Sequence, residues 1–145
     1  MTRRIAHAAQ IGAIVLALAL VPVALAAKSG GHKPGGGGSG SSSISLAPLV
    51  YDANGDGLPN HGDTVTFNIS TTATSSPYVD LQCFQNGVLV AEGTDGYFDG
   101  ALSTRNFTLS APQWMSGAAD CTAWLDMSTK QGWQQLASTS FHVYA

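Results

Sequence analysis

Strong cations are scarce in this chain. It has six Lys and Arg in 145 residues, and charged residues of both signs make up only 10%. Two of the six, Arg3 and Arg4, stand at the N-terminus, leaving Lys28, Lys33, Arg105 and Lys130 for everything else. No basic patch can be assembled from so few, so the phosphate contacts that dominate nucleic-acid affinity have no source. Nucleic acid is therefore excluded as a partner. Histidine is equally thin: after residue 43 only His61 and His142 occur, far apart in sequence. No serine stands in a Gly-x-Ser-x-Gly elbow, and Asp80, Glu92, Asp95, Asp99, Asp120 and Asp126 are scattered. These absences point away from an enzyme. Of the two cysteines, Cys83 and Cys121, neither has a Cys or His neighbour at ligand spacing, which argues against a zinc site. A helical period is missing throughout the region after residue 43.

What is present begins with an export signal. A basic start, an apolar run over residues 11–20 and the small-x-small triplet Ala24-Leu25-Ala26 predict a signal peptide over residues 1–27. The apolar run is short for a span of about 20 residues, so no membrane span is expected once that segment is cleaved; an uncleaved anchor is the other reading. Residues 28–43 are a Gly/Ser-rich flexible linker that cannot bury a core. Residues 44–145 then form one domain. In an exported chain the simplest reading of two cysteines is one disulfide, Cys83 to Cys121. Closing a loop of about 40 residues contributes roughly 4 kcal/mol in the chain-entropy picture. The expected location is secreted, extracellular or in the cell envelope.

The densest motif is Asp52-Ala-Asn-Gly-Asp-Gly-Leu-Pro-Asn-His-Gly-Asp63. Calcium takes six to eight hard oxygens, which a short loop supplies from alternate side chains and a backbone carbonyl. With Asp52 at position 1, Asn54, Asp56, Leu58, Asn60 and Asp63 fall at positions 3, 5, 7, 9 and 12 of such a loop, and Gly57 at its glycine position 6. Leu58 would give its carbonyl, Asn60 an amide oxygen or a bridging water. Pro59 at position 8 and Asp rather than Glu at position 12 depart from the helical EF-hand, and strict alternation over residues 64–70 follows the loop as a strand. The expectation is a structural calcium turn between the first two strands. Asn-Gly and Asp-Gly are also strong hairpin signals, so an ordinary Asx/Gly turn is the competing reading.

The stretch Asp52-x-Asn54-Gly55-Asp56-Gly57, followed by Gly62-Asp63-Thr64-Val65-Thr66-Phe67, resembles the opening of immunoglobulin-like repeats in bacterial cell-surface and adhesin proteins. The resemblance covers about a tenth of the chain. It implies an immunoglobulin-like β-sandwich in envelope or extracellular proteins, without catalytic activity. Cysteines on inward strand faces likewise resemble an immunoglobulin-type core staple.

The rest of the domain supports about seven strands with turn signals every 8 to 12 residues. Residues 44–50 read as a first strand, with Pro48 marking an edge. In residues 64–70, Val65, Phe67 and Ile69 face the core. Residues 78–85 alternate with Val79, Leu81 and Cys83 inward, and Asn86-Gly87 turns them into residues 88–91. Residues 93–100 read as a glycine-punctuated turn and residues 105–109 as a strand. Trp114 plugs one end of the core. Residues 118–127 put Cys121, Ala123, Leu125 and Met127 on one face, and a last strand runs to Tyr144.

If the two cysteine strands are neighbours, their opposite faces present Phe84 and Trp124 beside Tyr78, Gln82 and Thr122, with Trp133 extending the patch. Large apolar groups on a solvent-side face mark an interaction surface, here for an envelope polysaccharide or protein. The functional expectation is a secreted or surface-associated, non-catalytic binding or adhesion module. The alternatives are a secreted inhibitor or effector that blocks a partner enzyme through residues 93–100, and a small secreted hydrolase.

Overall fold

The computed structural model describes residues 40–145, so the expected signal peptide and the linker up to residue 39 lie outside the described residues. Those described contain no helix and eight strands: β1 (Ser42–Leu46), β2 (Thr64–Val65), β3 (Phe67–Thr71), β4 (Pro77–Gln85), β5 (Val88–Gly96), β6 (Phe107–Thr108), β7 (Ala119–Thr129) and β8 (Gly132–Val143). The fold is all-β and every strand pairing is antiparallel.

A four-stranded sheet, ordered β5-β4-β7-β8, forms one layer of a β-sandwich. The other layer is built on the continuous stretch of β2 and β3. Strand β1 pairs with β3, β6 pairs with β2, and the chain after β1 continues alongside through Ala47 N–H to Thr66 O (3.0 Å) and Val50 N–H to Thr64 O (2.9 Å). Alternation decides what lies between the layers, because successive side chains in a strand point to opposite faces. Ile44, Val65, Phe67, Phe107 and Leu109 come from one side, and Val79, Leu81, Ala123, Leu125 and Val143 from the other; all are buried. Trp114 is 1% exposed and closes one end, its indole N–H donating to Gly117 O at 3.1 Å. It is the plug its loop position suggested.

Turn chemistry sets the strand ends. Asn86 (φ 51°) and Gly87 (φ 79°) both lie in the left-handed region, as a two-residue hairpin twisted like its strands requires.

Five expectations need correction. There are eight strands rather than seven, because the strand expected over residues 64–70 breaks at Thr66. There Arg105 (φ 59°) swings the chain before β6 away, and the Tyr97 hydroxyl takes the place of a strand partner. It donates to Arg105 O (2.9 Å) and accepts from Phe67 N–H (3.3 Å). For the same reason β6 is two residues long instead of five. Residues 93–96, read as a turn, continue β5 against β4. The first strand covers Ser42–Leu46, starting inside the expected linker and ending before Pro48.

The fifth correction concerns the disulfide. Cys83 and Cys121 are bonded as expected, but they stand opposite each other on adjacent strands β4 and β7. The bond therefore ties two neighbours within one sheet and does not staple the two sheets together.

Candidate functional site

The turn over residues 52–63 is organised by its own oxygens. Asp52 accepts N–H bonds from Gly55 and Gly57, both at 2.8 Å, through its two carboxylate oxygens. Asn54 Oδ1 accepts from Asp56 N–H (3.1 Å), and Asp56 Oδ1 from Leu58 N–H (2.7 Å). Gly55 (φ 73°) and Gly57 (φ 76°) supply left-handed backbone at a spacing that a side chain would strain. The Leu58 N–H, foremost, and the amides of Asn54 and Asn60 hold the Asp56 carboxyl below the ordinary carboxylate range, against a smaller opposing effect of burial.

The six expected ligands divide into two groups. Asp52, Asn54, Asp56, Leu58 and Asn60 lie at the surface or half-buried around the turn. Asn60 Nδ2 donates to Leu58 O (2.8 Å) and to both Asp56 oxygens (3.1 and 3.3 Å), so a carboxylate and a carbonyl converge on one point. Asp63 is separate. It is 0% exposed, and its two oxygens accept N–H bonds from Ala53 (2.9 Å) and Asn60 (2.8 Å). Backbone bonds from Tyr144 N–H to Pro59 O (2.8 Å) and from Gly62 N–H to Leu109 O (2.9 Å) moor the turn to both layers. Among the described residues no three His, Cys, Asp or Glu side chains gather as a metal-holding group. A carboxylate has about four lone-pair positions, so Asp52 and Asp56 retain acceptor capacity beyond these bonds. The oxygens that would hold a hard cation are those of Asp56 and Leu58, which converge around Asn60 Nδ2, with Asp63 holding the turn from inside.

The second candidate is the outer face of the four-stranded sheet. Opposed residues fall into rows across the strands. Thr94, Asp80, Trp124 and Ser138 make one row, and Glu92, Gln82, Thr122 and Ser140 the next. A third contains Leu89, Phe84, Asp120 and His142. Phe84 and Trp124 are thus on the same face, as parity required, together with Tyr78, Gln82 and Thr122. Both rings are half-buried. Trp133 is 54% exposed and meets Tyr78 edge-on at 5.0 Å, and Tyr78 meets Phe98 the same way at 5.3 Å. The structure hence brings Trp133 to this face through Tyr78, while Phe84 lies two rows from Trp124.

A shallow concavity of about 380 Å³ opens beside Trp124, lined by Asp80, Gln82, Glu92, Gly93 and Thr94. Thr94 Oγ1 donates to Asp80 Oδ1. Sequence reasoning missed Glu92 and Thr94 as lining residues for a physical reason. Counting back from the Asn86-Gly87 hairpin pairs Glu92 with Leu81 and turns it into the core. A register shift between Cys83 and Phe84 leaves an extra residue on β5 and sets Glu92 opposite Gln82, outside.

Asp120 Oδ1 pairs with His142 Nδ1 (2.8 Å) on the next strand. The His61 Nε2 contacts Trp114 O at 2.8 Å.

Compared with known protein families, with curated proteins and with solved structures, the chain matches none of them.

Proposed function

We propose that this chain is a secreted or surface-associated, non-catalytic, immunoglobulin-like binding or adhesion module with a structural calcium at the 52–63 turn. The binding reading is carried by one observation: Trp124 and Phe84 share the outer face of the four-stranded sheet with the Tyr78–Trp133–Phe98 aromatic cluster. Aromatic residues grouped on a solvent-side face are what interfaces enrich. The layering of β5-β4-β7-β8 against β1-β3 and β2-β6 supports the immunoglobulin-like reading. A disulfide inside the fold supports export to an oxidising compartment. No helix among the described residues is long and apolar enough to cross a membrane.

The partner on this reading is an envelope polysaccharide or protein. Retention tests it: the purified, oxidised full chain is incubated with isolated bacterial envelope and polysaccharide fractions, with and without Trp124→Ala. The reading expects retention that the variant loses while its melting temperature holds. Equal retention of the two, or turnover of a substrate by the purified chain, removes it.

A further inference from the structure

We propose that the open edge of β3 docks the C-terminal end of an extended polypeptide, which adds as an antiparallel strand and sets its terminal carboxylate at Arg105. This edge belongs to the layer away from Trp124 and goes beyond the outer-face reading above.

The backbone defines the slot. Thr66 O accepts from Ala47 N–H (3.0 Å) and Thr72 N–H donates to Ser41 O (3.1 Å), so the even-numbered residues of this stretch bond toward β1. The odd-numbered ones turn their N–H and C=O the other way, as alternate residues of an antiparallel ladder do. Val65 meets β6 in that direction, and Phe67 N–H meets the Tyr97 hydroxyl at 3.3 Å. Phe67 O, both groups of Ile69 and Thr71 N–H meet no strand among the described residues, because β3 pairs with β1 alone. A concavity of about 670 Å³ runs beside them, lined by all of β3 and by Thr74, Pro77, Tyr97 and Arg105.

Edge strands that stay single carry charges, prolines or bulges. Strand β5, an edge of the other layer, has Glu92, Asp95 and a register shift. Phe67–Thr71 has no charge and no proline, and its register with β1 is unbroken. Such an edge suits strand addition, in which main-chain bonds give affinity and alternate side chains give specificity. The added side chain opposite Ile69 turns inward, where half-buried Ile69 and buried Pro77 call for an apolar residue.

The lane is closed at Phe67. The Tyr97 hydroxyl sits where a ligand carbonyl would accept the Phe67 N–H. A strand running through must displace it, whereas a strand that ends there need not. Arg105 stands at this closed end, its carbonyl accepting from the Tyr97 hydroxyl (2.9 Å) and its guanidinium 6.0 Å from the centre of the Tyr97 ring. It is the only charged residue lining the concavity. Its ion-pair partner is Asp99 Oδ1 at 3.7 Å, on a fully exposed side chain. An exposed pair of this kind contributes little and can exchange for a ligand carboxylate. A chain end beside one guanidinium and no carboxylate is a C-terminus, held by charge-assisted bonds. With its end at the start of β3 the ligand runs antiparallel, the more stable pairing.

The test uses the oxidised full chain and acetylated hexapeptides alternating threonine with valine, isoleucine or phenylalanine, in both registers. Each is made with a free C-terminal carboxylate and with a C-terminal amide. Calorimetric titration should show binding of at least one carboxylate peptide, and its amide form should bind at least about tenfold more weakly. Amide hydrogen exchange followed by NMR should show Ile69 and Thr71 slowed by saturating peptide, with Asn68 and Ser70 unchanged. In Arg105→Asn, which suits the left-handed backbone there (φ 59°), the carboxylate and amide forms should bind alike. If that variant fails to fold, the exchange pattern and the amide comparison on the parent chain still decide. Absence of binding by every carboxylate peptide overturns the proposal, as does binding that leaves Ile69 and Thr71 exchanging as in the free chain. Equal binding of the amide forms by the parent overturns the carboxylate assignment. If both amides slow with rising protein concentration alone and the chain sediments as a dimer, the edge pairs two copies and the peptide assignment falls.

Discussion

Cys83 and Cys121 oppose one another across β4 and β7 with their Cα atoms 4.0 Å apart, as register partners within a single sheet. The bond joins residues 38 apart in sequence and closes a loop that contains all of β5 and β6. It locks the register of the two central strands and, with it, the row that sets Asp80 beside Trp124. Because both cysteines are buried and each points inward, the bond leaves the outer face untouched.

The first expectation concerns this bond. Cys83→Ala with Cys121→Ala should destabilise the fold by about 4 kcal/mol through the freed unfolded chain. Guanidinium unfolding of the double variant beside the oxidised chain measures it. Peptide mapping without reduction should give one cross-linked pair, residue 83 to residue 121. Free thiols in exported protein would falsify the assignment of an oxidising compartment.

How legible was this in the sequence? Parity alone placed Val65, Phe67, Val79, Leu81, Ala123 and Leu125 in the core, because a period of two needs no knowledge of partners. It also put Phe84 and Trp124 on one outer face once β4 and β7 were taken as neighbours. Asn86-Gly87 fixed one hairpin because few other residues accept two left-handed positions in a row. What failed was whatever depended on pairing. The break at Thr66 comes from a tyrosine thirty-one residues away, and the outward turn of Glu92 comes from a bulge. No local pattern encodes either. The 52–63 turn was visible as a motif, but its internal arrangement was not: Asp63, read as a ligand, is buried with its two oxygens accepting backbone N–H bonds from Ala53 and Asn60.

Tyr97 is the residue on which the second layer turns. Its hydroxyl bridges Thr66, Phe67 N–H and Arg105 O, and burial, partly offset by the Thr66 and Phe67 bonds, pushes the phenol above its ordinary value of 10.0. Tyr97→Phe keeps the ring but strands the Phe67 N–H, while Arg105 O keeps the Thr66 hydroxyl; the cost is about 1–3 kcal/mol. Denaturant unfolding at neutral pH reads the loss. A spectroscopic titration of the parent should show one tyrosine ionising later than the others, and that late step should vanish in the variant. An unchanged titration would mean that the bridge at Thr66 is not formed in solution.

Acid should loosen the 52–63 turn from Asp56. A carboxyl whose folded pKa is depressed adds stability above its unfolded value and loses it as pH falls through the folded value. For Asp56 that window opens below the ordinary 3.8. Carbon-detected NMR of the Asp56 side chain should give a midpoint under 3.8, with the Leu58 amide shift following the same curve. In Asp56→Asn the Leu58 response should disappear. A midpoint at or above the ordinary value would show that the Leu58 N–H bond does not persist in solution.

Calcium separates the two roles inside the same turn. A cation that binds the native state alone must raise its stability by mass action, by about 2.7 kcal/mol at a hundredfold excess over Kd. Thermal melts of the oxidised chain in calcium and in chelator should therefore differ, and Asp56→Ala should remove the difference. Asp63→Ala should behave otherwise, because Asp63 is enclosed and satisfies Ala53 N–H and Asn60 N–H. It should lower the melt in both conditions, by about 1–3 kcal/mol for each buried donor left unmatched. Identical melts of the parent in calcium and chelator would remove the metal and leave the turn held by its Asx bonds alone. A calcium response that survives in Asp56→Ala but dies in Asp63→Ala would reverse the assignment, making Asp63 the ligand and Asp56 part of the scaffold.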